Sequence, residues 1–188
     1  METKKRLETP IKEFEAVGDT AMAKLLGKAI KSSLGAVDKD LKNLEAKIID
    51  IVNEDDNLKL LFKLITSVVG IGFVTAINLL IHTNGFTVMN DTRKLACYCG
   101  VAPFEYSSGS SIRGRTKVHY MANKKLKCNL HMASLSAVKL DADLKAYYER
   151  KVAEGKSKLS VLNAVKNKLL ARVVAVVNKR QEYVKRVA

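Results

Sequence analysis

The segment Tyr106-Ser-Ser-Gly-Ser-Ser-Ile-Arg-Gly-Arg-Thr-Lys117 sets four serines and two glycines directly against a run of positive charge. A serine hydroxyl is a weak nucleophile at neutral pH. It needs a base or a metal to activate it and cations to stabilise charge on the group it attacks. Arg113 and Arg115 carry planar forks that suit bidentate contact with phosphate, and Lys117 adds a third cation. The chemistry such a loop suits is attack on a phosphodiester, with Tyr106 a formal rival to the serines because a phenol can also attack phosphorus. Solvated arginines on a flexible Ser/Gly loop are the alternative that the residues alone leave open.

The surroundings favour a polyanionic partner. No acidic residue occurs from Tyr106 to Leu140, a window that also holds Lys124, Lys125, Lys127 and Lys139. A stretch of this kind repels itself unless an anion lies against it, and nucleic acid is the usual one. The whole chain agrees: its 188 residues carry a formal net charge of +14, yet 47% are hydrophobic, enough to bury a core. No long apolar run and no leader-type segment follows Met1, so a cytoplasmic, nucleoid-associated protein without membrane contact is expected. A membrane-surface role for the basic C-terminal helix is the weakest reading, since no aromatic anchors line it and the chain has no tryptophan.

Cys97, Cys99 and Cys128 are odd in number, as suits a reducing compartment. Together with His119 or His131 they raise the question of zinc. A helix over residues 91–99 would point Cys97 and Cys99 about 200° apart, which is poor geometry for one tetrahedral ion. No metal site is expected in this chain.

The elements that must position the serine segment read as helices, and the expected fold class is mainly α. Thr9-Pro10 has the form of an N-cap and first helical residue, and Gly18-Asp19-Thr20 interrupts the pattern before a long helix. Within that helix Leu34, Val37, Leu41, Leu44, Ile48 and Ile51 alternate steps of three and four, a coiled-coil seam of about three heptads. Either it packs within its own domain or it joins two copies into a homo-oligomer. Residues 1–56 are thus expected to form a helical coiled-coil arm, and residues 57–188 a compact helical domain.

In that domain Leu58–Val68, the turn Val69-Gly70-Ile71-Gly72 and Phe73–His82 outline a helix-hairpin-helix. Gly70 and Gly72 would let backbone amides approach a DNA phosphate at the start of the second helix; a plain helix-helix turn is the alternative. Asn90-Asp91 caps a short helix ended by Gly100, and Asn123 to Leu140 forms a helix with Lys124, Lys125 and Lys127 at its start. Asp143–Ala153 and a helix begun at Ser157 complete the domain. The last helix has no acid between Gly155 and Gln181 and offers a second basic face.

The ordered succession Ile65-Thr-Ser-Val-Val-Gly-Ile-Gly-Phe-Val-Thr-Ala76, Asn84-Gly-Phe, Leu95-Ala-Cys-Tyr-Cys-Gly-Val-Ala-Pro103, Ser107-Ser-Gly-Ser-Ser-Ile-Arg-Gly114, Asn123-Lys-Lys-Leu126 and Tyr147-Tyr-Glu-Arg with Gly155-Lys156 resembles the C-terminal transposase domain of the insertion-sequence 110 family over residues 60–180. Val69 stands where many relatives have proline. The arm resembles the helical linker that precedes this domain in the family.

The resemblance implies a DNA recombinase that moves an insertion element, in some members guided by a structured RNA. It implies a nucleophilic serine at the first residue of a Ser-Gly-Ser-Ser motif, here Ser108, that becomes joined to DNA as a phosphoserine. It also implies a RuvC-like domain whose four carboxylates hold a divalent metal, magnesium being the expected ion. The residues before 57 contain no such carboxylate set, so the chain is expected to be truncated and catalytically incomplete unless that domain acts in trans. A non-catalytic DNA- or RNA-binding, dimerising remnant is the competing function class.

Overall fold

The computed structural model describes residues 2–108 and 112–184, with the backbone alone for residues 2, 105–108 and 112–117. The chain divides into two units, Met1–Glu54 and Asp55–Ala188.

In the first unit α1 (Glu2–Val17) and α2 (Thr20–Glu54) are joined at Gly18-Asp19. Gly18 takes φ +87°, which a side chain would resist, and the Asp19 carboxylate accepts the Met22 N–H at 3.0 Å. α1 then lies antiparallel to α2, with Lys4 Nζ 2.8 Å from Asp38 Oδ1. The helix start expected at Thr9-Pro10 is corrected: α1 begins at Glu2 and Pro10 lies inside it. The turn upstream of the proline is held by tertiary contact, through Lys4 to Asp38, and the Thr9 hydroxyl donates back to the Lys5 carbonyl at 2.8 Å. These hold the helix together although Pro10 supplies no amide hydrogen.

In the second unit the helices are α3 (Asp56–Thr66), α4 (Phe73–Thr83), α5 (Thr92–Tyr98), α6 (Lys124–Leu140), α7 (Ala142–Ala153) and α8 (Lys158–Lys179). Short polar side chains start most of them. Asp55, Asp91, Asn123, Asp141 and Ser157 each accept amide hydrogens of the first turn that follows. α8 is the central element, packing on α3, α5, α6 and α7. Its Val165, Leu169, Leu170 and Val173 are fully enclosed, against Leu64 and Ile65 of α3, Leu95 of α5 and Leu126 and Leu130 of α6 in the same core. Each such leucine contributes about 1.5–3 kcal/mol by leaving water.

One buried charge is built into this core. Asp141 caps α7 and also accepts from Arg172 Nη1 of α8 at 2.6 Å. Burial pushes its carboxyl up, but the Arg172 hydrogen bond and charge and the amides of Leu144 and Asp143 outweigh that. The group titrates below the usual carboxylate range. The Arg172 guanidinium also lies 4.8 Å from the Tyr183 ring, and the Tyr183 N–H donates to Ser67 Oγ at 2.8 Å, tying the C-terminal residues to α3.

The fold is mainly α, as expected, with one addition. The serine segment, expected as a loop, lies in a two-stranded antiparallel hairpin of β1 (Phe104–Ser108) and β2 (Ile112–Lys117). Its sequence hides this because β2 has a single apolar residue, Ile112, so no alternation of period two is present. Among the described residues no helix is long and apolar enough to cross a membrane.

Candidate nucleic-acid interface

The hairpin that carries the serines is clamped at both ends to the helical body. Where the chain leaves α5, Gly100 takes φ +65°, and a Cβ there would lie 2.8 Å from the Ala122 Cβ and 3.2 Å from Val118 Cγ1. Only glycine fits so close an approach of the outgoing and returning segments. The Asn123 N–H donates to the Tyr98 carbonyl at 2.8 Å, and Asn163 Nδ2 of α8 donates to the Val101 carbonyl at 2.7 Å. The root of the hairpin is therefore fixed by three elements.

A polar cluster that sequence reasoning missed sits at that root. Tyr98 Oη lies 3.2 Å from His82 Nδ1, and Asn123 Nδ2 donates to Tyr98 Oη at 3.2 Å while standing 3.3 Å from the same His82 nitrogen. These three come from the ends of α4 and α5 and the cap of α6. Through Asn123, whose Oδ1 accepts the Leu126 N–H at 3.0 Å, they fix where α6 begins. The signal available was indirect: Tyr98 and Asn123 both fall within the motifs that carry the family resemblance, but nothing in their spacing pairs them with His82.

Ser108 is the last residue of β1 and pairs across the hairpin with Ile112, and Ser107 pairs with Arg113. Arg113, Arg115 and Lys117 all lie on β2; their side chains and that of Ser108 lie outside the described residues. Gly109, Ser110 and Ser111, which complete the Ser-Gly-Ser-Ser motif, lie outside them altogether. The residues that follow the hairpin expose a group of rings, with His119 and Tyr120 centroids 4.6 Å apart and Tyr120 82% exposed. The basic start of α6 comes next. Lys124 and Lys125 are exposed and Lys127 is half-buried, its side chain beside Gly100.

Gly70 and Gly72 have different surroundings. Gly70 takes φ +95°, and a Cβ on it would stand 2.6 Å from the Ala137 Cβ and 2.8 Å from the Ala133 carbonyl oxygen. Its missing side chain lets the α3–α4 turn press onto α6. Gly72 is exposed, has open space where a Cβ would go, and is the N-cap of α4 with no side-chain cap, so the first amides of α4 are left without a capping acceptor. Of the two, Gly72 has the geometry for backbone approach to a phosphate.

The thiols do not converge. Cys99 is fully buried, and burial pushes its thiol up to about 12, so it stays protonated; Cys97 is half-buried and Cys128 exposed. Among the described residues no three His, Cys, Asp or Glu side chains gather as a metal ion would require. The carboxylate set implied by the family resemblance is not among the described residues.

Comparison with known proteins agrees with the motifs. Residues 62–149 match the family model described as Transposase IS116/IS110/IS902 family. The chain is 31% identical over 134 residues to the insertion element IS110 uncharacterized 43.6 kDa protein of Streptomyces coelicolor, covering 71% of this chain and 32% of that protein. It is 26% identical over 148 residues to the pilin gene-inverting protein of Moraxella lacunata, covering 78% of this chain and 46% of that one. The chain thus spans less than half the length of these relatives. The matched stretch runs from within α3 to within α7 and includes the α3–α4 turn, the hairpin and the start of α6; it makes this chain a carrier of the transposase domain of the IS116/IS110/IS902 family.

Proposed function

We propose that the chain is a DNA-binding component of a transposase or recombinase and that Ser108 is its nucleophile. What supports the reading is the family match over residues 62–149, which contains the Ser-Gly-Ser-Ser motif that begins at Ser108; in the hairpin Ser108 ends β1, on a root held by α5, α6 and α8. In the reaction the Ser108 Oγ–P bond forms as one P–O bond of a phosphodiester breaks, and the serine proton ends on the released sugar hydroxyl. Arg113 and Arg115 neutralise the phosphoryl oxygens. Lys117, Lys124, Lys125 and Lys127 hold the flanking backbone, and the open amides at Gly72 take a further phosphate. None of the described residues would hold a metal; a metal-bearing carboxylate domain, whether joined to them in a longer protein or supplied by another polypeptide, would supply activation of the hydroxyl. A guide RNA is compatible with the same basic surface.

Leu44 and Ile51, the exposed members of the apolar series on α2, support assembly of two copies through the arm. A non-catalytic binding role is the second reading, since the basic surface serves it equally well. Ser108→Ala separates the two. With a metal-bearing partner domain and DNA ending in the element's terminus, the wild type yields a protein-DNA adduct whose linkage maps to Ser108 by mass spectrometry. The variant retains DNA and yields none. An undiminished adduct in the variant rules out Ser108.

A further inference from the structure

α8 carries two cations on faces that other helices cover, and only one of them is answered. Arg172 has the Asp141 carboxylate at 2.6 Å. Lys166 does not. It occupies the inward stripe of α8 between Leu162 and Leu169, only 6% exposed, and among the described residues no hydrogen bond or ion pair reaches it. A second cation, Lys127 of α6, acts on it. Burial first, and then Lys127, push the Lys166 ammonium below the usual lysine range, while the Cys128 thiol opposes this.

A lysine at a core position, facing a second lysine, is costly unless something anionic completes the pair. Its own helix cannot supply the anion, since no acid occurs between Gly155 and Gln181, and neither can α6, since none occurs from Tyr106 to Leu140; the hairpin's one acid is Glu105 of β1, whose side chain lies outside the described residues. Among the described residues only Asn129 Nδ2 is a fully enclosed polar side-chain atom lacking a partner, so the Lys166 ammonium, buried as its side chain is, keeps some contact with water. The place is also specific. Lys127 Cδ lies beside Gly100, and Asn163, one turn before Lys166 on α8, holds the Val101 carbonyl at 2.7 Å. Lys127 thus flanks the outgoing root of the hairpin, and Lys166 follows by one turn of α8 the residue that holds that root.

We infer that Lys166 and Lys127 form a binding site for one phosphate group at the root of the hairpin. The charge arrangement favours an anion; that the phosphate belongs to a DNA backbone rests on the function proposed above. Seated there, a phosphodiester would be held one short segment away from β1, so the site would register the DNA relative to Ser108.

The test is thermal unfolding of the whole chain with inorganic phosphate, at constant ionic strength set with chloride, for wild type and Lys166→Met. Lys166→Met removes the desolvated charge and keeps an unbranched apolar side chain, so it should unfold at a higher temperature than wild type without phosphate. Phosphate should raise the wild-type midpoint by a few degrees and leave the variant's unchanged. Lys166→Arg, which keeps the charge, should retain the response and guards against a folding defect in the methionine variant. Equal phosphate responses in wild type and Lys166→Met overturn the site.

Duplex binding over a salt series then distinguishes the source of the phosphate. If DNA supplies it, Lys166→Met flattens the logarithmic salt slope by about 0.9. An unchanged slope with a lost phosphate response assigns the site to free phosphate. A wild type that binds no DNA refutes the proposed function while the phosphate response still decides the site.

Discussion

In the 22 residues of α8 ten side chains are buried, whereas in the 35 residues of α2 only Ala23 and Val52 are. The two helices are of similar mean hydropathy, so composition does not separate them; what differs is how much of each apolar stripe finds a neighbour. Four helices surround α8. α2 has only α1 within its unit, and 16 residues of helix extend about 24 Å, less than half of what 35 residues span. Leu44 and Ile51, in the part of α2 beyond Asp38, are 56% and 60% exposed. The body from Asp55 onward closes its own core, and the arm leaves Leu44 and Ile51 exposed. On the proposed reading, stability belongs to the body and assembly to the arm.

The sharpest way to break this contrast is within the body. Gly70→Val should destabilise it by about 4 kcal/mol, combining overpacking against Ala137 with a positive φ that a branched side chain resists. Gly72→Ala should shift unfolding by less than about 1 kcal/mol, because its Cβ meets open space. Chemical denaturation of both variants measures the difference, and equal losses would remove the distinction drawn between the two glycines. Next comes Asp141→Ala, which leaves Arg172 partly buried without its acceptor and uncaps α7; a loss of about 3 kcal/mol is expected. The pH dependence has a definite sign. Because the folded carboxyl titrates below its unfolded value of about 3.9, its contribution is complete above that pH and is lost as pH falls through the folded value. Acid unfolding of Asp141→Ala should therefore show a shallower dependence than wild type over that range.

The smallest effect on stability, and the one that sharpens the role of the arm, is expected from Leu44→Lys with Ile51→Lys. These should abolish concentration-dependent association in sedimentation while leaving the unfolding midpoint of the body unchanged. A body that unfolds earlier in this variant would mean that the arm contributes to its stability.

The caps were readable from the sequence because they are local: Asp91, Asn123 and Ser157 need only the amide three residues ahead. Pro10 shows where a local rule fails, since a contact with Asp38, distant in sequence, holds the helix through it. The hairpin was missed because its pairing brings no apolar alternation. The cluster of His82, Tyr98 and Asn123 and the unanswered charge of Lys166 could not be read at all, for each depends on helices far apart in the chain meeting at one place. Ser108, by contrast, is marked by motif order, and the structure contributes the strand, register and root that hold its backbone.

The measurement that tests the account most directly is duplex DNA binding by the wild type and by Arg113→Ala with Arg115→Ala, each over a series of salt concentrations. If the hairpin lies on phosphate, the double variant binds more weakly and its logarithmic salt slope is shallower by about 1.8, two contacts at 0.9 each. Equal affinities and equal slopes would place the DNA elsewhere, and the hairpin would lose its part in the reaction.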